Sequence, residues 1–149
     1  MTLKNIQRRV VNPKNIIIHH SLTKDGKTVS WNAIRKYHIS IGCDMIGYHY
    51  GTELIDDNYE ILVGRMMNET GAHCKQQNMN NQSLGICCIG NFDIDPVPAR
   101  QWQLCLTLVR SLVDVLQLSV DNIYGHNQFA NYKSCPGKNW SMDKFRSEL

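Results

Sequence analysis

A chain of 149 residues has the length of one ordinary domain. Apolar residues make up 42% and charged residues 19%, so a hydrophobic core is attainable and global disorder is excluded. Sixteen basic against thirteen acidic residues leave a net charge of +3, too mild a surplus for nucleic acid to be the main partner.

The first fifteen residues, MTLKNIQRRVVNPKN, carry basic side chains but no apolar core of a secretory leader. No stretch reaches the ~18 apolar residues of a membrane span. A protein made and kept in the cytoplasm is therefore expected, and its six cysteines are expected as free thiols. Cys87, Cys88 and Cys105 lie in apolar patterns and read as buried. Only Cys135 has a loop position beside a Pro-Gly turn.

Ile16-Ile17-Ile18 is short, continuous and β-branched, which predicts a buried strand with His19 and His20 at its end. Alternation along a strand sends those two side chains to opposite faces, so at most one faces a given site. Ser30 is a candidate N-cap for a helix over WNAIRKYHI, with Trp31, Ile34 and His38 on one stripe. Gly47-Tyr48-His49-Tyr50 opens a second strand, and a turn at Asp56-Asp57-Asn58 leads into a third from Glu60 to Val63. Leu84 to Ile89 is a further apolar strand. Pro98 fits the first turn of a long helix from Ala99 to Leu116, whose apolar residues recur at three and four. Ile123-Tyr124 is a short strand that delivers His126, and Ser141 caps a final helix. No repeat or linker interrupts the pattern. Strands mixed with helices predict an α/β fold in which helices flank a single mixed sheet.

The residues that carry chemistry are far apart in sequence. A His-His pair ends the first strand; Gly125-His126 and, nine positions after His126, Cys135-Pro136-Gly137 come near the far end. A lone histidine at a strand end is more often structural than a ligand. Two imidazoles and a thiolate on one sheet edge would make a three-point cage for Zn²⁺ with the fourth position left to water. That open position separates hydrolytic zinc from structural zinc.

Five ordered segments carry a family resemblance: IIIHHS at the first strand, IGYHY at 46–50, VGRMMNETGAH at 63–73, QSLGICCIGNF at 82–92 and GHNQFANYKSCPG at 125–137. Together they resemble the zinc N-acetylmuramoyl-L-alanine amidases, the superfamily of the short phage lysozyme-type amidases and the peptidoglycan recognition proteins. The resemblance runs from about residue 16 to 145. It implies the amidase and recognition-protein fold, with His19, His126 and Cys135 as metal ligands; only the resemblance selects His19 over His20. It implies Tyr48 beside the site as a proton-transfer or orienting group, and Lys133 as the stabiliser of the oxyanion. It also places His73, Arg65 and Asn68 in or near the substrate groove.

The implied reaction is hydrolysis of the amide between N-acetylmuramic acid and L-alanine of the stem peptide by a zinc-activated water. Lys133 sets the chain nearer the phage-type enzymes, which makes a phage or prophage endolysin the expected role and peptidoglycan the expected partner. The rival is a recognition module that holds muropeptide without cutting it. A monomer is expected, with one catalytic domain over 1–149 and no separate wall-binding domain. There are departures. The His126–Cys135 loop is one residue longer than in many relatives, Asn127 stands where arginine or histidine is common, and Met66-Met67 matches neither familiar pair that reads the third stem residue.

Overall fold

The computed structural model describes residues 12–24 and 29–149. Residues 1–11 of the N-terminal stretch read above lie outside the described residues. The elements run β1 (Asn15–His20), α1 (Trp31–Ser40), β2 (Tyr50–Ile55), β3 (Asn58–Val63), α2 (Met79–Gln82), β4 (Ser83–Cys88), α3 (Ala99–Leu116), β5 (Ile123–Gly125) and α4 (Met142–Ser147), with short 3₁₀ turns between some of them. No helix among the described residues is long and apolar enough to cross a membrane.

The five strands form one sheet in the order β3-β2-β4-β1-β5. Only the β2–β3 hairpin is antiparallel; β2–β4, β4–β1 and β1–β5 are parallel. The sheet is thus mixed, as the sequence predicts. Parallel strands need crossovers that cover both faces, and their central members are accordingly buried and mostly apolar. Every residue of β4 is buried, as are five of the six in β1.

Alternation divides the core. Ile16, Ile18, Leu84, Ile86 and Cys88 turn to one face, where Trp102, Cys105, Leu106 and Val109 of α3 pack on them together with Phe92, Trp140 and Phe145. Truncating one such buried isoleucine or leucine to alanine costs about 2–5 kcal/mol. Ile17 turns to the other face, with Cys74 and Met79. Cys87 and Ile89 do so as well, beneath Trp31 and Ile34 of α1.

Capping is local and legible. The Ser30 hydroxyl accepts the Ala33 N–H at 3.1 Å, and the Ser141 hydroxyl accepts that of Lys144 at 3.2 Å. Gln101, fully buried in the first turn of α3, donates to the Ile89 carbonyl at 3.0 Å and to the Thr52 hydroxyl at 3.1 Å. That ties the helix to the middle of β2 and to the end of β4.

Several boundaries differ from the sequence reading; β4, for one, runs Ser83–Cys88 rather than Leu84 to Ile89. β2 starts at Tyr50 rather than Gly47, because Tyr48 and His49 bond outside a regular ladder: the His49 N–H donates to Gly85 and the Tyr48 carbonyl accepts from Arg65. β3 starts at Asn58, since Asp56 takes a left-handed φ of 53° and closes a two-residue turn. Pro98 is the N-cap of α3, one position outside its first turn.

Candidate active site

Strand register brings the first two site residues together. In the parallel pairing of β1 with β5, Ile18 stands opposite Gly125. A histidine follows each of these residues in the chain, and the His19 and His126 rings lie 4.5 Å apart, centroid to centroid. The chain then turns through Phe129 and Ala130, whose N–H groups both donate to the His126 carbonyl, and comes back so that the Asn127 N–H donates to the Cys135 carbonyl at 2.7 Å. This return places the Cys135 Sγ 3.7 Å from His19 Nδ1.

Two further contacts hold the returning loop. The Asp93 carboxylate accepts the Ser134 hydroxyl at 2.5 Å and the Lys138 N–H at 3.0 Å. Gly137 sits at φ 120°, and a Cβ there would meet the Phe92 backbone at 2.6 Å. Only glycine takes that conformation against that neighbour without strain.

His19, His126 and Cys135 are all buried, and their ligand atoms lie within 4.8 Å of one another. Desolvation pushes the pKa of His19 well below the ordinary histidine value, and that of His126 to about 4, with the Lys133 ammonium adding to both. Both imidazoles are therefore neutral near pH 7 and keep a lone pair. Burial pushes the Cys135 thiol up to about 12, although a backbone hydrogen bond at His20 and the Lys133 charge pull it back. Without a cation this sulfur stays protonated. Two neutral nitrogens and a buried thiol form a set able to hold a metal ion, and the donor types suit a borderline-soft divalent cation such as zinc.

The three residues open onto a cleft of about 710 Å³, also bordered by Tyr48, His73, Lys133, Tyr132 and the α1 side chains Ala33, Ile34, Tyr37 and His38. Tyr48 packs its ring edge toward His19 at 5.1 Å. Desolvation raises its pKa well above the usual tyrosine value, so the phenol is a hydrogen-bond donor at neutral pH. Lys133 is exposed at the rim, its ammonium 5.9 Å from the centre of the Tyr132 ring.

Of the three groove residues expected from sequence, His73 borders the cleft, whereas Arg65 and Asn68 do not. The Arg65 guanidinium donates to the carbonyls of Ile46 at 2.8 Å and Thr70 at 2.6 Å, which fixes the loop ahead of His73. Asn68 sits in an exposed turn. Sequence reasoning missed Asp93, whose only signal is its place after the fourth strand, and treated His38 as packing alone. His38 borders the cleft, and its Nδ1 accepts the Gly47 N–H at 2.9 Å. Burial, and then Arg65, lower its pKa, so it too is neutral.

The family model described as N-acetylmuramoyl-L-alanine amidase matches residues 9–138. The chain belongs to the N-acetylmuramoyl-L-alanine amidase family. Its similarity to other amidase-family proteins spans two kinds. It is 32% identical over 130 residues to peptidoglycan-recognition protein SC2 of Drosophila simulans, covering 83% of this chain and 67% of that one. It is 30% identical over 136 residues to the endolysin of Escherichia phage T7, covering 84% and 83%.

Solved structures give the amidase and recognition-protein fold. The N-acetylmuramoyl-L-alanine amidase LysC of Clostridium intestinale superposes with a TM-score of 0.79 at 24% identity, covering 98% of this chain and 94% of that one. Bumblebee PGRP-SA superposes with a TM-score of 0.75 at 26% identity, covering 96% and 86%. Endolysins and recognition proteins match about equally well, so within the amidase family the choice between cutting and holding rests on the chemistry of the cleft.

Proposed function

We propose that this protein is a zinc-dependent N-acetylmuramoyl-L-alanine amidase of the endolysin kind. It hydrolyses the amide that joins the lactyl group of N-acetylmuramic acid to L-alanine of the stem peptide. The observation that carries the reading is convergence. Three buried donors suited to zinc, a protonated phenol and an ammonium group border one cleft in a chain of the amidase family.

His19, His126 and Cys135 would hold the ion. When bound, zinc polarises the scissile carbonyl and lowers the pKa of a water to about 7. The rest is done by the chain's own groups. Lys133, at the rim beside the donors, brings a positive charge to the oxygen on which negative charge develops in the transition state. The Tyr48 phenol, neutral at working pH, borders the site and can pass its proton toward the departing amine. Neutral His38 and the apolar wall of α1 narrow the cleft around the stem peptide and exclude bulk water.

A muropeptide-binding module that does not cut is the second reading, favoured by the identity to a recognition protein. Against it stands the presence of the full donor set together with both Tyr48 and Lys133. The two readings part on one comparison: wild type and Cys135→Ser are incubated with purified walls, and bound zinc and new L-alanine amino ends are measured for each. Loss of both in the variant supports the enzyme. Zinc in wild type with no amino ends from any wall type supports the binding module.

A further inference from the structure

The two ring nitrogens of His19 face different neighbours. Nδ1 lies 3.7 Å from the Cys135 sulfur, on the side of the donor set. Nε2 lies 3.0 Å from Nδ1 of His73, fifty-four positions away in sequence. The rings meet edge to face, 5.0 Å between centroids at 89°. A histidine nitrogen that binds a metal carries no proton, so a neutral His19 that binds through Nδ1 has its proton on Nε2. That proton points at His73.

His73 is built to receive it. Its backbone N–H and that of Cys74 both donate to the Asn80 side-chain oxygen at 2.8 Å, which pins the loop. Its ring lies on Gly85 of β4, where a Cβ would meet it at 2.5 Å; no larger residue leaves room for it. Behind it stands His49, edge-on at 5.7 Å, itself fixed by the Gly85 N–H on Nδ1 and by the Glu69 carbonyl 3.0 Å from Nε2.

We propose that His73 is a positioning residue for the metal site: its Nδ1 accepts the Nε2–H of His19, fixing the tautomer that aims His19 Nδ1 at the ion. In many metal sites a carboxylate or a carbonyl does this for a ligating histidine; here a second imidazole does. The inference rests on the zinc reading above. It replaces direct substrate contact as the main task of His73.

The test is zinc affinity, measured by competition with a chelating dye for wild type, His73→Leu and His73→Asn. Leucine removes the acceptor, and asparagine returns an oxygen near the position of Nδ1. The expected result is a loss of about 10–100-fold in affinity for the leucine variant and recovery of most of it by asparagine. A residue that only contacts substrate would not move this readout. Should the leucine variant fail to fold, ¹⁵N-histidine spectra of zinc-loaded wild type decide: His19 protonated on Nε2 supports the proposal, and metal-bound Nε2 overturns it. Zinc affinity within twofold of wild type in the leucine variant overturns the proposal alone. Wild type that binds no zinc overturns both it and the reading on which it rests.

Discussion

β1 ends in two histidines that face opposite sides of the sheet. His20 turns toward α3, where its Nδ1 accepts the Phe92 N–H at 3.2 Å and its ring lies 6.0 Å from that of Phe92. His19 turns toward the cleft, with Cys135 at one ring nitrogen and His73 at the other. Both are buried, and burial lowers the pKa of both. The difference lies in what meets them. Backbone that has to be satisfied meets His20, and groups that can share a cation meet His19. Residue type and burial therefore do not identify a ligand; the direction of the lone pair does.

The sharpest way to break this comparison is on the cleft side. His126→Ala removes one of three donors, and bound zinc and amidase activity are expected to fall to background together in metal analysis and wall digestion. Lys133→Ala leaves all three donors in place. It is expected to keep zinc while turnover falls by about 10²–10³-fold, the usual cost of losing one group that stabilises an oxyanion. Tyr48→Phe is expected to cost about 100-fold in turnover, again with zinc retained. Zinc lost along with activity in either variant would show that the residue supports the donors rather than the reaction.

The other face should respond differently. His20→Ala leaves the buried Phe92 N–H without its acceptor, and thermal or denaturant unfolding should report a loss of about 1–3 kcal/mol. Zinc content should be unchanged and turnover should move by no more than a few fold. The smallest effect is a proton count. With His126 at about 4 and His19 lowered, the imidazoles enter binding already neutral, while the Cys135 thiol at about 12 enters protonated. Zinc binding at pH 6 should therefore release about one proton per ion, and affinity should rise with pH. Calorimetry in buffers of different ionisation enthalpy measures it. Release near zero would mean that the thiol is not a ligand.

The sequence speaks most clearly where structure is local. Ser30 and Ser141 cap the helices expected of them, α3 spans the residues its periodicity marks, and alternation alone sends His19 and His20 to opposite faces. It is silent where contacts are distant. The strand order, which sets β1 between β4 and β5 and so lines up residues 19 and 126, follows from crossovers that no local pattern encodes. The short α2 between His73 and Ser83 falls below the length at which periodicity speaks. Gly47 to His49 reads as strand because its residues are aromatic and alternate, yet its bonds run to three separate segments. Arg65 marks a limit of the resemblance: it implies a place in the groove, but the guanidinium is committed to loop carbonyls. The resemblance to known amidases supplied the pairing of distant segments that periodicity could not.

The central claim is that one zinc ion, held on the His19 face, makes this cleft an amidase. It is tested most directly by stripping the wild-type protein with a chelator, restoring zinc in steps and counting new L-alanine amino ends released from purified peptidoglycan. The account predicts no release from stripped protein and release that rises in proportion to zinc, saturating at about one ion per chain. Release that is undiminished in stripped protein, or absent at full zinc occupancy from every wall type, would contradict it.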